Sequence, residues 1–566
     1  MAVHNEIELE RTIAEHLAAH GWLYSTNDKG YDKERALFPE DVLGWLRETQ
    51  PEQVDKVIKP GSKDVAKQEA QLLDRIVKVL DTPLSNGGGT LSLLRNGFSH
   101  LSGKFAMCVF KPETTLNAKR NADYAAVRLR VMRQVHFSTA DNRSVDLVFF
   151  VNGLPVATAE LKTDFTQTVT DAIRQYRTTR LPKDPATGLI QPLFASGARA
   201  LVHFAATNDE VWMTTNLVGD KTHFLPFNRG SEDGGAGNPL NPNGSRSSYL
   251  WERVLQRDAW LNILGRLMYI KHESQTDPIS GKTTKTSTLR FPRFHQWEAV
   301  TNLTTAVTAE GAGQRYLIQH SAGSGKTDSI AWTAHRMARL QVDNKKVFDS
   351  VIVVTDRNVL DAQLQDAIKQ IDNDQGIVVA IDRDEASKSG ASKSGLLAKA
   401  LTDGKLIIVV TIQTFPFAMQ AIRENKGLKG KTFAVIADEA HSSQSGQIAG
   451  KLKAVLTAEE IKDIEDGGEI DVEAILSAEA TDRADSSNIS YFAFTATPKG
   501  KTLELFGRRP SPDENPVPFH VYTMKQAIEE GYILDVLTGY HSFKLAFQIG
   551  QSAANEVGTA GDDSEV

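Results

Sequence analysis

The 566-residue sequence predicts a multidomain α/β protein. A chain of this length exceeds what one hydrophobic core organises, because cores stop growing at about 250–300 residues. Short apolar runs alternate with helical patterns in both halves of the chain, and this alternation is typical of sheets covered by helices. In the second half, runs such as VIVV and LIIVV are nearly continuous in Val, Ile and Leu, which favours buried parallel strands.

The N-terminal part begins with a predicted helix, in which four apolar residues between Ile7 and Leu17 lie near helical spacing and Gly21 provides a stop. Alternating runs, including AVRLRVMRQVHFS, then predict strands. Residues 145–162 are predicted to form two strands joined by an Asn-Gly turn. The helix TDAIRQYRTTR and a strand pair in RALVHFAATNDEVWMTT complete this α/β unit.

The middle of the chain is predicted to link two domains. The stretch from Gly219 to Ser248 is rich in Gly, Asn, Pro and Ser, a composition that does not build a core. It precedes LWERVLQRDAWLNILGRLMYI, a predicted amphipathic helix between the domains. The expected boundaries are 1–218 for the first domain, 219–284 for the linker and helix, 285–512 for the second domain, and 513–566 for the start of a third.

Composition excludes several classes of protein. Cys108 is the only cysteine, so an intrachain disulfide or a cysteine metal cage is impossible. The formal net charge of −7 means that any nucleic-acid contact must be local. The N-terminus lacks the pattern of a secretory signal, and no apolar run approaches the ~20 residues of a bilayer span. The sequence therefore predicts a cytoplasmic protein with no membrane partner.

The stretch HSAGSGKT predicts a phosphate-binding turn between a strand and a helix. Backbone N–H groups of such a turn surround phosphate, Lys326 reaches the terminal phosphates, and Thr327 holds Mg²⁺. His320 stands where the common form of this turn has its first glycine. The residues assigned to this nucleotide site are Gly323, Ser324, Gly325, Lys326 and Thr327.

The stretch VIADEAH supplies two acids directly after an apolar strand. Asp438 at the strand end can bind Mg²⁺ through water, and Glu439 can orient or deprotonate the water that attacks a phosphate. An acidic strand end is often only a helix cap. Its position between the glycine turn and the later TATP favours the catalytic interpretation.

In this order, HSAGSGKT, DEAH and TATP resemble motifs I, II and III of superfamily 2 helicases and translocases. The resemblance implies a RecA-like parallel-sheet domain that uses ATP and Mg²⁺. It implies that Gln296 in FPRFHQ contacts adenine, and that His441 and the residues 495–497 couple the ATP state to the grip on DNA. VTDRNVLDAQL and TIQTF resemble the motifs that touch the nucleic-acid backbone.

Asp146 and the triplet Glu160-Leu161-Lys162 match the PD-(D/E)xK nuclease pattern. Because side chains alternate along a strand, Glu160 and Lys162 share one face, and the hairpin can bring Asp146 beside them. Two carboxylates can hold Mg²⁺, while the lysine stabilises charge on the attacked phosphate or positions water. A buried salt bridge is the alternative explanation for these charges.

The stretch from NEIELE through DNRSVDLVFFVNGLPVATAELK, together with the motor motifs and DEAHSSQSG, resembles the restriction (R, HsdR-type) subunit of type I restriction-modification enzymes. That family joins an N-terminal nuclease to an ATP-driven translocase of double-stranded DNA. Its partners are the modification (methyltransferase) and specificity subunits.

The family resemblance also implies further nuclease residues. Gln175 and Tyr176 match a Gln and a Tyr needed for nuclease function, although they are adjacent here and some members separate them by three residues. An acid of the first helix contributes in relatives. Glu10 is the candidate among Glu6, Glu8, Glu10 and Glu15.

The segment after TATP resembles the entry to a second RecA-like domain, and the sequence stops before motifs V and VI. Motif VI normally supplies an arginine worth about 10³–10⁵ in rate, so a truncated chain with poor ATP hydrolysis is expected. Two alternatives stay open. One is a superfamily 2 DNA-repair helicase or accessory protein whose N-terminal domain binds DNA without cutting, and the other is a noncatalytic assembly module.

Overall fold

The computed structural model describes residues 6–163, 167–276, 281, 283–355, 358–371, 377–381, 393–411, 414–438 and 488–535. These residues include two seven-stranded sheets, each packed against helices. The α/β class predicted from the sequence is therefore confirmed. None of the helices in this described part combines the length and the apolar composition that a bilayer crossing requires.

The N-terminal unit, residues 6–226, contains helices on both sides of its first sheet. Its first elements are α1 (Glu6–Ala19), β1 (Leu23–Ser25), α2 (Pro39–Thr49), α3 (Pro51–Val57), α4 (Val65–Leu80), α5 (Gly89–Asn96), β2 (Phe98–His100), β3 (Gly103–Phe105) and α6 (Ala118–Ala125). The later elements are β4 (Leu129–His136), β5 (Ser144–Val151), β6 (Leu154–Leu161), α7 (Val169–Thr178), β7 (Val202–Ala206), β8 (Val211–Thr214) and β9 (Leu225–Pro226).

The first sheet has the strand order β1-β4-β5-β6-β7-β8-β9. Its centre is antiparallel from β4 to β6, whereas β6 and β7 run parallel. Strands β5 and β6 join through Asn152 and Gly153, which have φ angles of 48° and 79°, as a two-residue hairpin turn of the Asn-Gly type requires. A Cβ on Gly153 would lie 2.4 Å from the carbonyl oxygen of Phe38. The predicted Asn-Gly hairpin is confirmed.

Helix α1 packs its apolar stripe against the same sheet, with Leu9, Ile13 and Leu17 buried and Ile7 exposed. Gly21, two residues after the helix, has a φ of 89°. The predicted opening helix and its glycine stop are confirmed. The helix has one buried acid, Glu10, and this side chain belongs to the site described below.

The connector, residues 227–291, is more ordered than a linker. Its elements are a π-helical turn at Leu250–Val254, α8 (Arg257–Asn262), a second π-helical turn at Ile263–Leu267, β10 (Tyr269–Thr276) and β11 (Thr283–Arg290). Trp260 is fully buried, and its ring contacts Phe204 of the N-terminal unit and Phe291. The single amphipathic helix expected here is divided, because its apolar side chains pack into a core shared with both units.

The C-terminal unit, residues 294–535, alternates helices with strands of the second sheet. Its elements up to the fourth helix are α9 (Phe294–Glu310), β12 (Arg315–His320), α10 (Lys326–Arg339), β13 (Gln341–Val342), β14 (Lys345–Lys346), β15 (Ser350–Thr355), α11 (Asn358–Ile371), β16 (Val378–Ile381) and α12 (Lys393–Thr402). The remainder comprises β17 (Ile407–Thr411), α13 (Phe415–Glu424), β18 (Phe433–Ala437), β19 (Ile489–Thr495), α14 (Gly500–Phe506), β20 (His520–Tyr522) and α15 (Met524–Glu529).

The second sheet has the order β16-β17-β15-β18-β19-β12-β20, and every neighbouring pair is parallel. The strands predicted from the Val and Ile runs are thus confirmed as a parallel sheet. Strand β20 lies beyond residue 512, where the sequence suggested that a further domain begins. It pairs with β12 and is held by hydrogen bonds from Phe519 N–H to Leu317 O and from Ser321 N–H to Tyr522 O.

Replacing Trp260 by alanine tests the shared core. Because Trp260 is fully buried between Phe204 and Phe291, the variant should lose about 3–5 kcal/mol of unfolding free energy. Urea unfolding followed by far-UV circular dichroism measures the loss. Trp212→Ala is the control because Trp212 is only partly buried, and an equal or larger loss in that control would contradict the assignment.

Candidate active sites

A group of buried charged side chains lies at the open end of the β5–β6 hairpin. Leu147 pairs with Ala159 across the hairpin, so the next residues on each strand, Asp146 and Glu160, lie side by side. Asp146 Oδ2 accepts a 2.7 Å hydrogen bond from the N–H of Leu161. The exposed fractions of Asp146, Glu160 and Lys162 are 8%, 0% and 4%. The structure therefore brings the three predicted residues together.

Helix α1 adds a third carboxyl group. Glu10 is buried and accepts a 2.8 Å hydrogen bond from Gln134 Nε2, which also donates to Asp146 Oδ1 at 3.3 Å. Gln134 has a φ of 50° although it lies within β4. Arg133 pairs with Glu10 at 3.1 Å. We call Glu10, Asp146, Glu160 and Lys162 the carboxylate site.

The four acids of the first helix have different surroundings. Glu10 faces Asp146 through Gln134, as described above, and Glu6 forms an ion pair with Lys162. Glu8 and Glu15 are exposed. Of the candidates that the sequence left open, the structure thus places Glu10 and Glu6 at the site.

Burial and mutual repulsion raise the carboxyl pKa values of this site. Burial first, and then the charge of Asp146, raise the pKa of Glu160 to about 8. The same two causes raise the pKa of Glu10 to about 7. Burial also raises the pKa of Asp146, against the opposing effect of Lys162. Neighbouring carboxyl groups that resist ionisation form a site that an added cation would stabilise.

Among the residues that the structure describes, two buried oxygen atoms of this site have no hydrogen-bond partner. They are Oε2 of Glu160 and Oε1 of Gln175. The other oxygen of Glu160 accepts a 2.6 Å bond from Arg180 Nε. Among the described residues, no three His, Cys, Asp or Glu side chains are positioned to hold a metal ion. Mg²⁺ is usually bound by one or two carboxylates, with water and substrate phosphate as further ligands. Asp146 and Glu160 fit that pattern.

Helix α7 covers the same face of the sheet. The hydroxyl of Tyr176 forms a 2.8 Å hydrogen bond with Thr158, which forms another of 2.8 Å with His203 Nδ1. Tyr176 is fully buried, and burial followed by Glu160 holds its pKa well above the ordinary value. Burial lowers the pKa of His203 to about 3, so this histidine is neutral. Tyr176 therefore supports the strand under Glu160.

Sequence reasoning did not identify Arg180, Gln134 or Arg133 as parts of the carboxylate site. Arg180 lies two residues beyond the end of α7, and its contact with Glu160 joins residues that are 20 positions apart. Arg180 also donates to the carbonyl oxygen of Ser144 at 2.8 Å. Gln134 and Arg133 lie on a strand whose contact with α1 is long-range, so their sequence pattern contained no such signal.

The second site is the glycine turn between β12 and α10, residues 320–327. Gly323 and Gly325 have φ angles of 72° and 78°, which favour glycine. A Cβ on Gly325 would lie 2.6 Å from Gln296 Nε2, and one on Gly323 would lie 2.6 Å from Ile533 Cγ2. Helix α10 begins at Lys326, so its N-terminal amide groups point toward the turn.

Residues at the start of α9 hold the glycine turn. Gln296 Nε2 donates to Gly325 O at 2.9 Å, and Arg293 Nη1 donates to Gly323 O at 3.1 Å. A ring nitrogen of His295 lies 3.0 Å from Ser324 O. The structure thus gives Gln296 a bracing contact that the sequence did not indicate, and its contact with adenine stays a prediction.

His320 stands where the common form of the turn has a glycine, and its ring contacts another histidine. It is fully buried, and its Nε2 lies 2.9 Å from Nδ1 of His520 on β20. His520 in turn lies 3.4 Å from Glu298. Burial holds the pKa of His320 well below its ordinary value, so the ring is neutral. The imidazole therefore joins the edge strand to the glycine turn, which a glycine could not do.

Four further predicted motor residues, Lys326, Thr327, Asp438 and Thr495, lie at the same edge of the second sheet. Strands β12, β18 and β19 are parallel neighbours, so their carboxyl ends meet there. Asp438 follows β18, and Thr495 at the end of β19 pairs with Gln319. Lys326 and Thr327 occupy the first turn of α10 and are half-buried. Glu439 and His441 lie outside the described residues.

Two family models match the two halves in the order of these sites. The model of the type I restriction enzyme R protein N terminus matches residues 4–222, which contain the carboxylate site. The model of the SWI2/SNF2 ATPase matches residues 295–462, which contain the glycine turn.

The chain is similar to the HsdR-type restriction subunits.

Curated relatives of this chain include two bacterial proteins. The type I restriction enzyme HindI endonuclease subunit of Haemophilus influenzae is 24% identical over 411 residues, covering 70% of this chain and 33% of that protein. The SsaAORF53P endonuclease subunit of Staphylococcus saprophyticus is 24% identical over 427 residues, covering 73% and 36%. The chain therefore spans about a third of the length of these relatives.

A solved fragment assigned to an HsdR subunit of a type I restriction enzyme, from Vibrio vulnificus YJ016, is also similar. The match covers 71% of this chain and 56% of that chain at 14% identity, with a TM-score of 0.26.

Binding of Mg²⁺ to the carboxylate site should stabilise the fold. A ligand that binds only the folded state adds about 2.7 kcal/mol at a hundredfold excess over its Kd. Asp146→Asn and Glu160→Gln should each abolish most of the rise in Tm, measured by differential scanning fluorimetry in a Lys326→Ala background that removes the glycine-turn site. Asp141→Asn is the control, because this exposed acid pairs with Arg143. An undiminished shift in both site variants would contradict the assignment.

The raised pKa of Glu160 makes metal binding depend on pH. Folding moves this pKa from 4.5 to about 8, so the stability contributed by the bound proton is complete below 4.5 and is lost as the pH rises through about 8. A cation needs the ionised carboxylate, so Mg²⁺ should displace a proton at pH 7 and bind up to about tenfold more tightly per pH unit toward pH 8. Calorimetry in two buffers of different ionisation enthalpy measures the proton, and a pH-independent affinity would contradict it.

Proposed function

We propose that this chain is the nuclease and motor part of a type I restriction subunit. In this proposal, residues 1–218 form a PD-(D/E)xK endonuclease domain, residues 219–284 connect it, and a RecA-like translocase domain begins at residue 285. The observation that carries the nuclease assignment is the convergence of Asp146, Glu160 and Lys162, with one oxygen of Glu160 buried and unpartnered. The two family models support the combination.

The nuclease reaction would be Mg²⁺-dependent hydrolysis of a DNA phosphodiester. Mg²⁺, when bound, supplies Lewis-acid activation of phosphate and water. Asp146 and Glu160 hold the ion, and the Leu161 N–H fixes the orientation of Asp146. Arg180 holds one oxygen of Glu160 and leaves the other for the ion.

Lys162 is held at the same place by two contacts. Its ammonium group pairs with Glu6 and donates to Leu161 O at 2.8 Å. These contacts keep the charge beside the two acids, where it stabilises the negative charge that builds on the attacked phosphate. In this proposal Gln175 and Tyr176 orient the site from α7, with Tyr176 acting through Thr158.

The motor reaction would be ATP hydrolysis coupled to translocation along double-stranded DNA. The glycine turn with Lys326 binds the phosphates, Thr327 and Asp438 hold Mg²⁺, and Glu439 orients the attacking water. Gln296 and His441 complete the nucleotide site. Support comes from the φ angles of the two glycines, the start of α10 at Lys326, and the parallel strand ends that meet there.

The partners in this proposal are double-stranded DNA and the modification and specificity subunits. The curated relatives are themselves named as endonuclease subunits of type I restriction enzymes. In such an assembly the other subunits anchor the complex, and the motor draws DNA past the nuclease.

A second candidate function is a superfamily 2 helicase whose N-terminal domain binds DNA without cutting. The ion pairs of Glu160 with Arg180 and of Lys162 with Glu6 favour it, because both charges are satisfied within the chain. The pKa of Glu160, still raised to about 8 despite its arginine partner, favours the nuclease instead.

Plasmid cleavage by the complete complex distinguishes these functions. The full-length restriction subunit is assembled with its modification and specificity subunits, and cutting and ATP hydrolysis are measured on one preparation. Glu160→Ala and Lys162→Ala should each reduce Mg²⁺-dependent cutting by about 10²-fold or more, as the loss of a charge-stabilising group does, and should preserve ATP hydrolysis.

Two further variants complete that experiment. Lys326→Ala should abolish ATP-dependent translocation, measured by triplex displacement, because it removes the phosphate-binding ammonium group. Lys183→Ala is the matched control, since Lys183 is exposed on a loop of the same unit. Unchanged cutting by Glu160→Ala would refute the nuclease, and unchanged translocation by Lys326→Ala would refute the motor site.

A further inference from the structure

The chain that follows β20 folds back toward the glycine turn. Helix α15 begins after Thr523, whose hydroxyl caps it, and ends before Gly531, which has a φ of 76°. The N–H of Tyr532 then donates to Ala527 O at 2.9 Å. A left-handed residue followed by this closing hydrogen bond reverses the chain at the end of a helix. We call residues 523–533 the strap.

The end of the strap lies against the glycine turn. A Cβ on Gly323 would lie 2.6 Å from Ile533 Cγ2 and 3.5 Å from Tyr532 O, so these two strap residues pack on Gly323. Both follow Gly531 directly, and the reversal there sets their position. Gly323 nevertheless stays exposed to solvent. The strap therefore borders the turn without sealing it.

Arg293 joins the strap to the turn. Its guanidinium carbon lies 3.7 Å from the centroid of the Tyr532 ring, and its Nη1 donates to Gly323 O at 3.1 Å. A guanidinium group over an aromatic face is attracted by the ring, and its planar shape gives the stacked group a fixed direction. Tyr532 therefore fixes the direction from which Arg293 holds the carbonyl group of Gly323.

The strap is held on another side by a loop of the connector, residues 229–238, which we call the connector loop. The loop closes on itself through a 2.8 Å hydrogen bond from Gly230 N–H to Gly237 O. Asn238 Nδ2 donates to Asp209 O of the N-terminal unit at 2.8 Å. The connector loop is therefore an ordered extension of that unit.

Three polar side chains of the strap contact the connector loop. The contacts are Thr523 with Gly234 O, Lys525 with Asp233, and Glu529 with Ala236 N–H. The hydroxyl of Tyr532 also donates to Pro226 O of β9 at 3.4 Å. The contacts with the connector loop thus lie along α15, and the contacts with the glycine turn lie directly after it.

We propose that Tyr532 is a positioning residue of the glycine turn, and that the connector loop controls nucleotide affinity through the strap. Tyr532 acts through Arg293, which holds Gly323 in place for the phosphates. Loss of the loop contacts loosens this hold and weakens the binding of a nucleoside di- or triphosphate. The inference rests on the proposed nucleotide site at the glycine turn, and it adds control of that site by the N-terminal unit.

Fluorescence titration of the 566-residue chain with the nucleotide mant-ADP and Mg²⁺ tests Tyr532. Tyr532→Leu should weaken binding about tenfold, the size of effect that a desolvated cation–π contact can give. Tyr532→Phe keeps the ring and should bind as the parent chain does. In an Arg293→Ala background, Tyr532→Leu should cause no further loss, because the two side chains act as one unit. An equal loss in Tyr532→Phe, or a full further loss in the Arg293→Ala background, overturns the positioning role.

Variants of exposed strap residues test the control by the connector loop without touching a buried side chain. Lys525→Ala combined with Glu529→Ala should weaken mant-ADP binding about fivefold, at the lower end of typical coupling between sites. Lys525→Arg combined with Glu529→Gln keeps a cation and an acceptor, and should bind as the parent chain does. Asp513→Ala, at an exposed acid before β20, is the control. Unchanged affinity in the double alanine variant, or an equal loss in the control, overturns the proposal.

Lys326→Ala separates this inference from the nucleotide site itself, because it removes the phosphate-binding ammonium group. Binding that disappears in Lys326→Ala but is unchanged in the strap variants leaves the nucleotide site in place and overturns the strap proposal alone. A parent chain without any binding that depends on Lys326 overturns both.

Discussion

The pairing of β5 with β6 is the constraint on which the carboxylate site depends. The turn at Asn152 and Gly153 sets the register, and the register puts Asp146 beside Glu160. The bond from the Leu161 N–H to Asp146 then closes the end of the hairpin. Because side chains alternate across a strand, a slip of one residue would move Glu160 and Lys162 to the opposite face. No local change of rotamer could restore the group.

Most buried charges of the carboxylate site form ion pairs, but the site contains more carboxyl groups than basic groups. Arg180 pairs with Glu160, Lys162 with Glu6, and Arg133 with Glu10, so each ion has a partner that offsets part of its desolvation. Asp146 has hydrogen-bond donors and no ion pair within 4 Å among the described residues. The carboxyl pKa values are raised, in part because the acids of the site outnumber its bases. A bound divalent cation would offset this excess of negative charge.

The two units are joined by packing rather than by a flexible tether. Phe204, Trp260 and Phe291 form one aromatic contact chain across the connector. Helix α10 begins at the glycine turn, and Arg336 near its other end pairs with Glu113 of the N-terminal unit. The glycine-turn end of this helix is therefore connected to the N-terminal unit through continuous packing.

Much of this arrangement follows from local sequence. The Asn-Gly turn, the apolar face of α1, the glycine turn and the parallel Val and Ile strands depend on neighbours within a few residues, so periodicity and turn chemistry predict them. Strand alternation likewise predicts that Glu160 and Lys162 lie on the same face of the strand. These features determined the α/β class and the identity of both candidate sites.

Tertiary structure decided what depends on residues distant in the chain. Glu10 reaches Asp146 across 136 positions only because α1 packs on the sheet, and Arg180 reaches Glu160 only because α7 folds back over β6. The ring of His320 contacts His520 on β20, which lies two hundred residues later in the chain. The shared core likewise gave the expected linker buried side chains that pack against both units. Sequence pattern records local geometry, whereas these contacts arise when separate elements exclude water together, and that condition is met only in the folded chain.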